Sequence, residues 1–266
     1  MLSIESYEQF TELKNKAVSE KKYKLTNFLV SDDEMKLHIA NGRVCVEEND
    51  NFLCVVVHIR EYDYLYFWCA DKSRILLPNG TNNQILTIFG NKTTNNDWGD
   101  VAERFGLKQK SKLLQVVGKI DELTYPQYPS FIRKSFKFEY IQDYTFDYYC
   151  NLARDYFDFE NDIFPEKYVF DELFINKLNL VEVRTLNNDF VAFYTYTAIS
   201  KSYEGYVMAV MPKYRGIGFQ PLLLQETMQG YKYFKSWVQD WNKESWRVME
   251  SMGIKLSGNY RVLYGR

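Results

Sequence analysis

The residues best suited to chemistry lie in 204–220, EGYVMAVMPKYRGIGFQ. An apolar run at 206–211 reads as a strand and meets Pro212. A basic turn with two glycines follows, Lys213-Tyr214-Arg215-Gly216-Ile217-Gly218, and then a leucine-rich helical segment at 221–228. Strand, tight turn and helix in that order make a cradle for phosphate. Glycines let backbone N–H groups approach an anion, and the helix N-terminus adds a partial positive charge. Pro221 suits the first helical turn, where an N–H has no intrahelical acceptor. Two other phosphate-binding patterns do not fit. Nothing matches G-x-x-x-x-G-K-[ST], and the 48 residues after Gly218 are too few for the second half of a dinucleotide fold.

Downstream, 231–238 (YKYFKSWV) reads as a second strand leading to Gln239-Asp240-Trp241-Asn242. A helix at 243–252 is closed by Gly253. Two short strands, 254–256 and 260–264, are expected to pair across a Ser257-Gly258-Asn259 turn. Here the sequence resembles the GCN5-related N-acetyltransferase (GNAT) superfamily. Its acyl-CoA signature is R/Q-x-x-G-x-G/A, preceded by V-x-P and followed by a strand, an Asn, a helix and Gly-Phe. The matches are Val210, Pro212, Arg215, Gly218, Asn242 and Gly253-Ile254. The resemblance implies acetyl-CoA as co-substrate, held by Val210, Arg215, Gly216, Ile217, Gly218, Phe219, Gln220 and Asn242, with no metal. Two positions depart from the pattern. Gln220 replaces the final small residue of the signature, and Met249 stands where the family places a tyrosine acid.

Acetyl transfer from a thioester to an amine requires that the amine lose a proton, the oxyanion find a donor and a thiolate leave. Deprotonating a lysine-like amine at pH 7 costs about 4–5 kcal/mol, so a base is worth having. Both histidines, His38 and His58, lie in the first half of the chain, so the base in the second half is a carboxylate, a tyrosine or a relayed water. Glu204 stands 11 residues before Arg215. The resemblance implies a general base at that spacing, as in the histone-acetyltransferase branch. Strand alternation would place Glu204, Tyr206, Met208 and Val210 on one face. Glu182 and Asp189 are further acids, suited to orienting a cationic acceptor. The oxyanion donor implied by the resemblance is a backbone N–H near Val210. Unassisted thiolate departure costs only about 2 kcal/mol at pH 7, so Met249 is tolerable, and Tyr260 or Tyr264 are candidate substitutes.

The remaining composition bounds the partners. With 46% hydrophobic and 26% charged residues the chain is globular, and a net charge of −2 gives no field for nucleic acid. No run approaches 18 apolar residues, and residues 1–7 lack a signal-peptide pattern, so neither a membrane span nor secretion is expected. Cys45, Cys54, Cys69 and Cys150 show no C-x-x-C pairing, which points to a reduced, cytoplasmic compartment. An aromatic share of 17% reads as an aromatic-rich core, with a stacking surface for a ring-bearing acceptor as the alternative.

From 136 onward the order reads β-α-α-β-β-β-α-β-α-β-β, the order of the resembled family. The hairpin 180–185/190–197 delivers the chain to the Glu204 strand. The first half carries a helix at 4–20, strands at 43–48, 52–60, 62–70 and 84–89, and a helix at 98–105 ending at Gly106. It looks like a worn second copy, with no R-x-x-G-x-G turn and so no cradle. The expectation is an α/β fold, a mixed and mostly antiparallel sheet flanked by helices, as two GNAT-like domains in tandem. Residues 1–123 form the degenerate copy, 124–132 a proline-bearing linker and 133–266 the catalytic copy. The expected activity is acyl-CoA-dependent transfer, most simply of acetyl, to a primary amine of a small molecule or peptide by direct attack. The alternatives are transfer of aminoacyl or longer acyl groups, or a non-catalytic acyl-CoA sensing module. A monomer or homodimer is expected.

Overall fold

The computed structural model describes all residues except 81–82, 92–97, 128–129 and 158–163, and gives no side chains for 130, 131 and 133. Parts of the expected loop at 90–97, of the linker and of a helix at 145–159 therefore lie outside the described residues. In chain order the elements begin with β1 (Leu2–Ser3), α1 (Tyr7–Asn15), β2 (Leu25–Thr26), α2 (Asp32–Ala40), β3 (Val44–Glu48), β4 (Phe52–Ile59) and β5 (Tyr62–Cys69). Next come β6 (Gln84–Asn91), α3 (Gly99–Arg104), β7 (Lys108–Lys119), α4 (Ser130–Ser135), β8 (Phe136–Ile141), α5 (Phe146–Arg154) and α6 (Lys167–Val169). The chain closes with β9 (Leu178–Thr185), β10 (Phe190–Ile199), β11 (Ser202–Val210), α7 (Phe219–Thr227), β12 (Tyr233–Gln239), α8 (Lys243–Ser251) and β13 (Lys255–Gly265). No helix among the described residues is long and apolar enough to cross a membrane.

The chain divides into two compact units. Unit 1 is Met1–Lys112, Phe164–Val169 and Asn259–Arg266, and unit 2 is Leu113–Ile163 and Phe170–Gly258. These bounds differ from a division at 124–132, because β7 leaves unit 1 after Lys112 and β13 enters it at Asn259. The expected terminal hairpin is not formed. β13 is one continuous strand, and residues 259–265 pair antiparallel with β6 from Asn91 back to Ile85. Gly258, at φ 94°, lies in that strand without closing a turn. A ready edge on β6 outweighs the local turn signal of Ser-Gly-Asn, as tertiary pairing generally overrides propensity.

Unit 1 orders its strands β1-β3-β4-β5-β6-β13, mostly antiparallel, with β5 and β6 parallel. Alternation splits the β4 side chains in two. Phe52, Cys54 and Val56 join one core with Trp98 and Val101, while Leu53, Val55 and Val57 join another with Phe10 and Met35. β5 and β6 pair only at Asp63↔Gln84, Tyr64↔Ile85 and Leu65↔Leu86. A strand has two edges, and β4 holds one edge of β5 throughout. The other, beyond Leu65, is taken by β2, which the sequence reading did not find, at Leu25↔Cys69 and Thr26↔Trp68. The next residue fills the gap. The Asn27 amide Nδ2 donates to Leu65 O at 3.0 Å and Thr87 O at 3.1 Å, and its Oδ1 accepts from Phe67 N at 2.7 Å.

Unit 2 orders its strands β7-β12-β11-β10-β9-β8, again antiparallel apart from a parallel β11–β12 pair. Helices α7 and α8 cover one face, where Leu222, Leu223, Met228, Met249 and Met252 pack with Tyr194, Tyr203 and Phe234. On the other face Tyr156 meets Phe193, and Phe174 meets Tyr206.

Asn27→Ala tests whether the unit 1 closure is a polar bond network. It strands three buried backbone groups, and about 2–4 kcal/mol of stability should be lost in chemical denaturation. A change under about 0.5 kcal/mol would mean that the Asn27 amide does not hold the gap.

Candidate functional site

The edge closed in unit 1 is open in unit 2. β11 and β12 pair at Ser202↔Tyr233, Tyr203↔Phe234 and Glu204↔Lys235, and no further. From Gly205 to Val210 that edge of β11 carries no strand among the described residues, while the other is paired to β10 as far as Ala192↔Val210. Within this stretch Tyr206 and Val207 together oppose Thr195, a β-bulge. Thr195 Oγ1 accepts from Val207 N at 3.2 Å and donates to Val207 O at 3.4 Å, satisfying the backbone that the bulge displaces. Val207 N and Met211 N both turn toward β10, the latter to Val191 O at 2.8 Å. Alternation then directs the N–H groups of Met208 and Val210 to the open edge.

The bulge corrects the face expected for Glu204. Tyr203 is in the core under α7 and α8, and so, past the bulge, are Met208 and Val210. The extra residue shifts the phase by one, so Glu204 looks to the face opposite Val210.

The open edge leads to the glycine turn. Pro212–Tyr214 makes one 3-10 turn, and Gly216 (φ 78°) and Gly218 (φ 100°, ψ 24°) adopt left-handed backbone that L side chains resist. Gly218 is the N-cap of α7 and has no side chain to cap the first N–H groups. Among the described residues no backbone acceptor pairs with the N–H groups of 216–220; the first bond of the turn is Leu222 N to Gly218 O at 3.3 Å. A row of unpaired donors at a helix N-terminus suits an anion. Arg215 is exposed, and its Nε donates to Val210 O at 3.2 Å, leaving the Nη groups to the turn. Phe219 is buried edge-on against Phe136 at 4.8 Å, so it anchors the helix and offers only its backbone. Ile217 is exposed.

Gln220 and Asn242 meet through a serine. Gln220 Nε2 donates to Ser245 Oγ at 2.8 Å, and Asn242 Oδ1 caps α8 by accepting from Ser245 N at 3.1 Å. The long Gln220 side chain thus runs to α8 and ties together the two helix N-termini that flank the open edge. Met249 is buried in the core. Tyr260 and Tyr264, candidate substitutes for the absent tyrosine, belong to unit 1 and pack against its core.

Glu204 lines a cavity of about 820 Å³, with Thr197, Ile199, Tyr233, Lys235 and Lys255 among its walls. Its carboxylate is a quarter exposed and pairs with Lys235 Nζ at 2.8 Å. The other acids are committed elsewhere. Glu182 is fully buried, bonded to the Tyr148 hydroxyl and to Arg184 at 2.6 Å, while Asp189 lies exposed in the β9–β10 turn beside Thr185. Burial raises the hydroxyls of Tyr194, Tyr203 and Tyr206 above the usual tyrosine range, and Tyr196 to about 12. These phenols keep their protons near neutrality and so do not serve as bases there. Both histidines lie in unit 1, with His58 Nδ1 2.5 Å from Asp63 and His38 Nδ1 2.8 Å from the Tyr168 hydroxyl.

No family model and no curated protein matches the sequence. Solved structures do match the fold. A tandem GNAT protein from the clavulanic acid biosynthesis pathway superposes with a TM-score of 0.55 at 9% identity, covering 98% of this chain and 94% of that one. A probable N-acyltransferase from Enterococcus faecalis V583 gives 0.54 at 9% identity, over 97% and 70% of the two chains. A GCN5-related N-acetyltransferase from Sphaerobacter thermophilus gives 0.50 at 10% identity, over 97% and 91%. At such identity the likeness is one of fold, and that fold is the tandem GNAT arrangement.

Gly218→Val tests the cradle. A β-branched residue at φ 100° is strained and its methyls cover the unpaired N–H groups. With coenzyme A as the diphosphate-bearing probe, calorimetry should show affinity at least about tenfold weaker. Unchanged affinity would place any diphosphate elsewhere.

Proposed function

We propose that this chain is an acyl-CoA-dependent N-acyltransferase that moves acetyl from acetyl-CoA to a primary amine of a small molecule or peptide. The observation that carries the reading is the open edge of β11, running from Glu204↔Lys235 to a turn of unpaired N–H groups. The residues fit such a co-substrate. Arg215 and the N–H groups of 216–220 receive its diphosphate. The N–H groups of Met208 and Val210 face the edge along which its amide-bearing arm would pair as a strand does. Val210 N–H is then the donor for the oxyanion. Asn242 and Gln220 flank the edge through Ser245. Acetyl-CoA supplies an activated acyl group; this chain's residues bind it, orient the amine and take up a proton.

Glu204 is the proton acceptor in this reading, directly or through a water. It is the carboxylate that combines a cavity with a place at the end of the open edge, and the Lys235 ammonium fixes its orientation. Unit 1 takes no acyl-CoA here, because Asn27 and β2 occupy the corresponding edge. A second reading, acyl-CoA sensing without turnover, is favoured by Met249, a buried thioether where the family's tyrosine acid would stand.

The two readings separate on thiol release. The full chain with acetyl-CoA and a panel of amino sugars, amino acids, polyamines and peptides should free coenzyme A with at least one acceptor; binding without release would establish the sensor. With that acceptor, Glu204→Gln should lower kcat/KM by roughly 10²–10⁴-fold at pH 7. The deficit should shrink at high pH, where the amine deprotonates itself. A profile of the parent's height and shape would remove Glu204 from the mechanism.

A further inference from the structure

The cavity that holds Glu204 lies wholly within unit 2. Its floor is a strip of sheet whose register is fixed strand by strand. Thr197 pairs with Glu204, Glu204 with Lys235 and Lys235 with Val117, one row across β10, β11, β12 and β7. The next row on that face runs from Ile199 through Ser202 and Tyr233 to Lys119. Between the rows, Tyr203 and Phe234 belong to the core under α7 and α8, so both rows look to the opposite face. That face is open to solvent here: Ile199 is 68% exposed and Tyr233 53%. One strand beyond β7, β13 adds Lys255 to the cavity, and Ser257 Oγ ties the two strands by donating to Gln115 Oε1 at 2.9 Å.

The charges around this floor do not cancel. The cavity is lined by Lys119, Lys235 and Lys255 and by the carboxylates of Glu122 and Glu204. Lys119 Nζ sits 2.6 Å from Glu122 and Lys235 Nζ 2.8 Å from Glu204, whereas Lys255 has no acidic partner among the described residues. One positive charge is therefore in excess before any acceptor arrives. A protonated amine brings another, and the proton it passes to Glu204 keeps that charge in the cavity. Cations held this close repel one another, the more so away from bulk water. An acceptor with an anion of its own offsets the excess, and one that is only cationic adds to it. From β11 to β13 is three strand steps, about 14 Å of backbone, less what the two side chains bridge. A carboxylate one carbon from the amine is too near to engage both ends.

We propose that Lys255 selects the acceptor, by receiving a carboxylate or phosphate carried several bonds away from the amine that is presented to Glu204. Lys255 touches no reacting atom. It fixes the far end of the acceptor, whose chain lies over the row from Glu204 to Val117.

The inference rests on the acyl-CoA reading, and the test separates the two. Thiol release from acetyl-CoA by the full chain is followed with a six-carbon amine series: 6-aminohexanoate, 6-aminohexyl phosphate, 6-aminohexanamide and 1,6-diaminohexane. The parent should favour the anionic members over the amide by about tenfold in kcat/KM, the scale of a hydrogen bond to a charged group. The diamine should come last, and the faster anionic member identifies the anion. Lys255→Ala should raise KM for the anionic amines and level their advantage over the amide. Lys255→Glu should turn the preference toward the diamine, a gain that misfolding does not produce. An anionic advantage absent from the parent, or one that survives Lys255→Ala, would overturn the inference and leave acyl transfer standing. Release with no member of the series, by a chain that binds acetyl-CoA, would overturn the inference as well. Failure to bind acetyl-CoA would overturn the acyl-CoA reading itself and the inference with it.

Discussion

A β-strand in a sheet has two hydrogen-bonding edges, and leaving one unpaired in the interior is costly. Everything specific about this protein follows from how that constraint is met at two strands, β5 and β11. Each is paired along its whole length on one side and for three residues on the other, where it runs parallel to a neighbour. In unit 1 the remaining edge is satisfied from within, by β2 and the Asn27 amide. That amide bonds Leu65 O and Thr87 O and accepts from Phe67 N, backbone groups that lost partners when β5 and β6 separated. In unit 2 no segment among the described residues takes the edge. The same geometry yields a filled edge in one half and an open edge, the candidate binding edge, in the other.

The chemistry proposed for unit 2 depends on where that edge begins and ends. At one end the glycine turn exists because Gly216 and Gly218 tolerate left-handed backbone, which turns successive N–H groups toward one point. At the other, Gly205 yields its side-chain volume to the Tyr194 hydroxyl. Between them the bulge at Tyr206 and Val207 puts Glu204 and Val210 on opposite faces. On the proposed function, the amine acceptor and the cofactor arm approach from opposite faces of one sheet, at the slot between β11 and β12. Ser245 joins Gln220 to Asn242 and holds the helix N-termini on either side of that slot.

Much of this was legible in the chain. The strand, glycine turn and helix around Arg215 were signalled by residue type and spacing, because only glycine adopts φ near 100° without strain. The hairpin preceding Glu204 was readable for the same kind of reason, as alternating apolar runs about a polar turn. Three features were not readable. The two-residue strand β2 has no periodicity, and its place is set by an edge 40 residues away in sequence, where Phe67 N meets Asn27. The bulge leaves no composition signal, since Tyr206 and Val207 are ordinary strand residues. The last strand shows a turn-forming Ser-Gly-Asn, yet extends because β6 offers it a partner. All three are decided by distant pairing.

On the proposed function, one half of this chain presents an open strand edge to acyl-CoA and the other half has closed its own. Stoichiometry tests this most directly. Isothermal titration of the full-length chain with acetyl-CoA, with the protein concentration fixed by amino-acid analysis, should return one site per chain, abolished by the loss of the glycine turn in unit 2. Two sites per chain, or one site that survives that loss, would contradict the account.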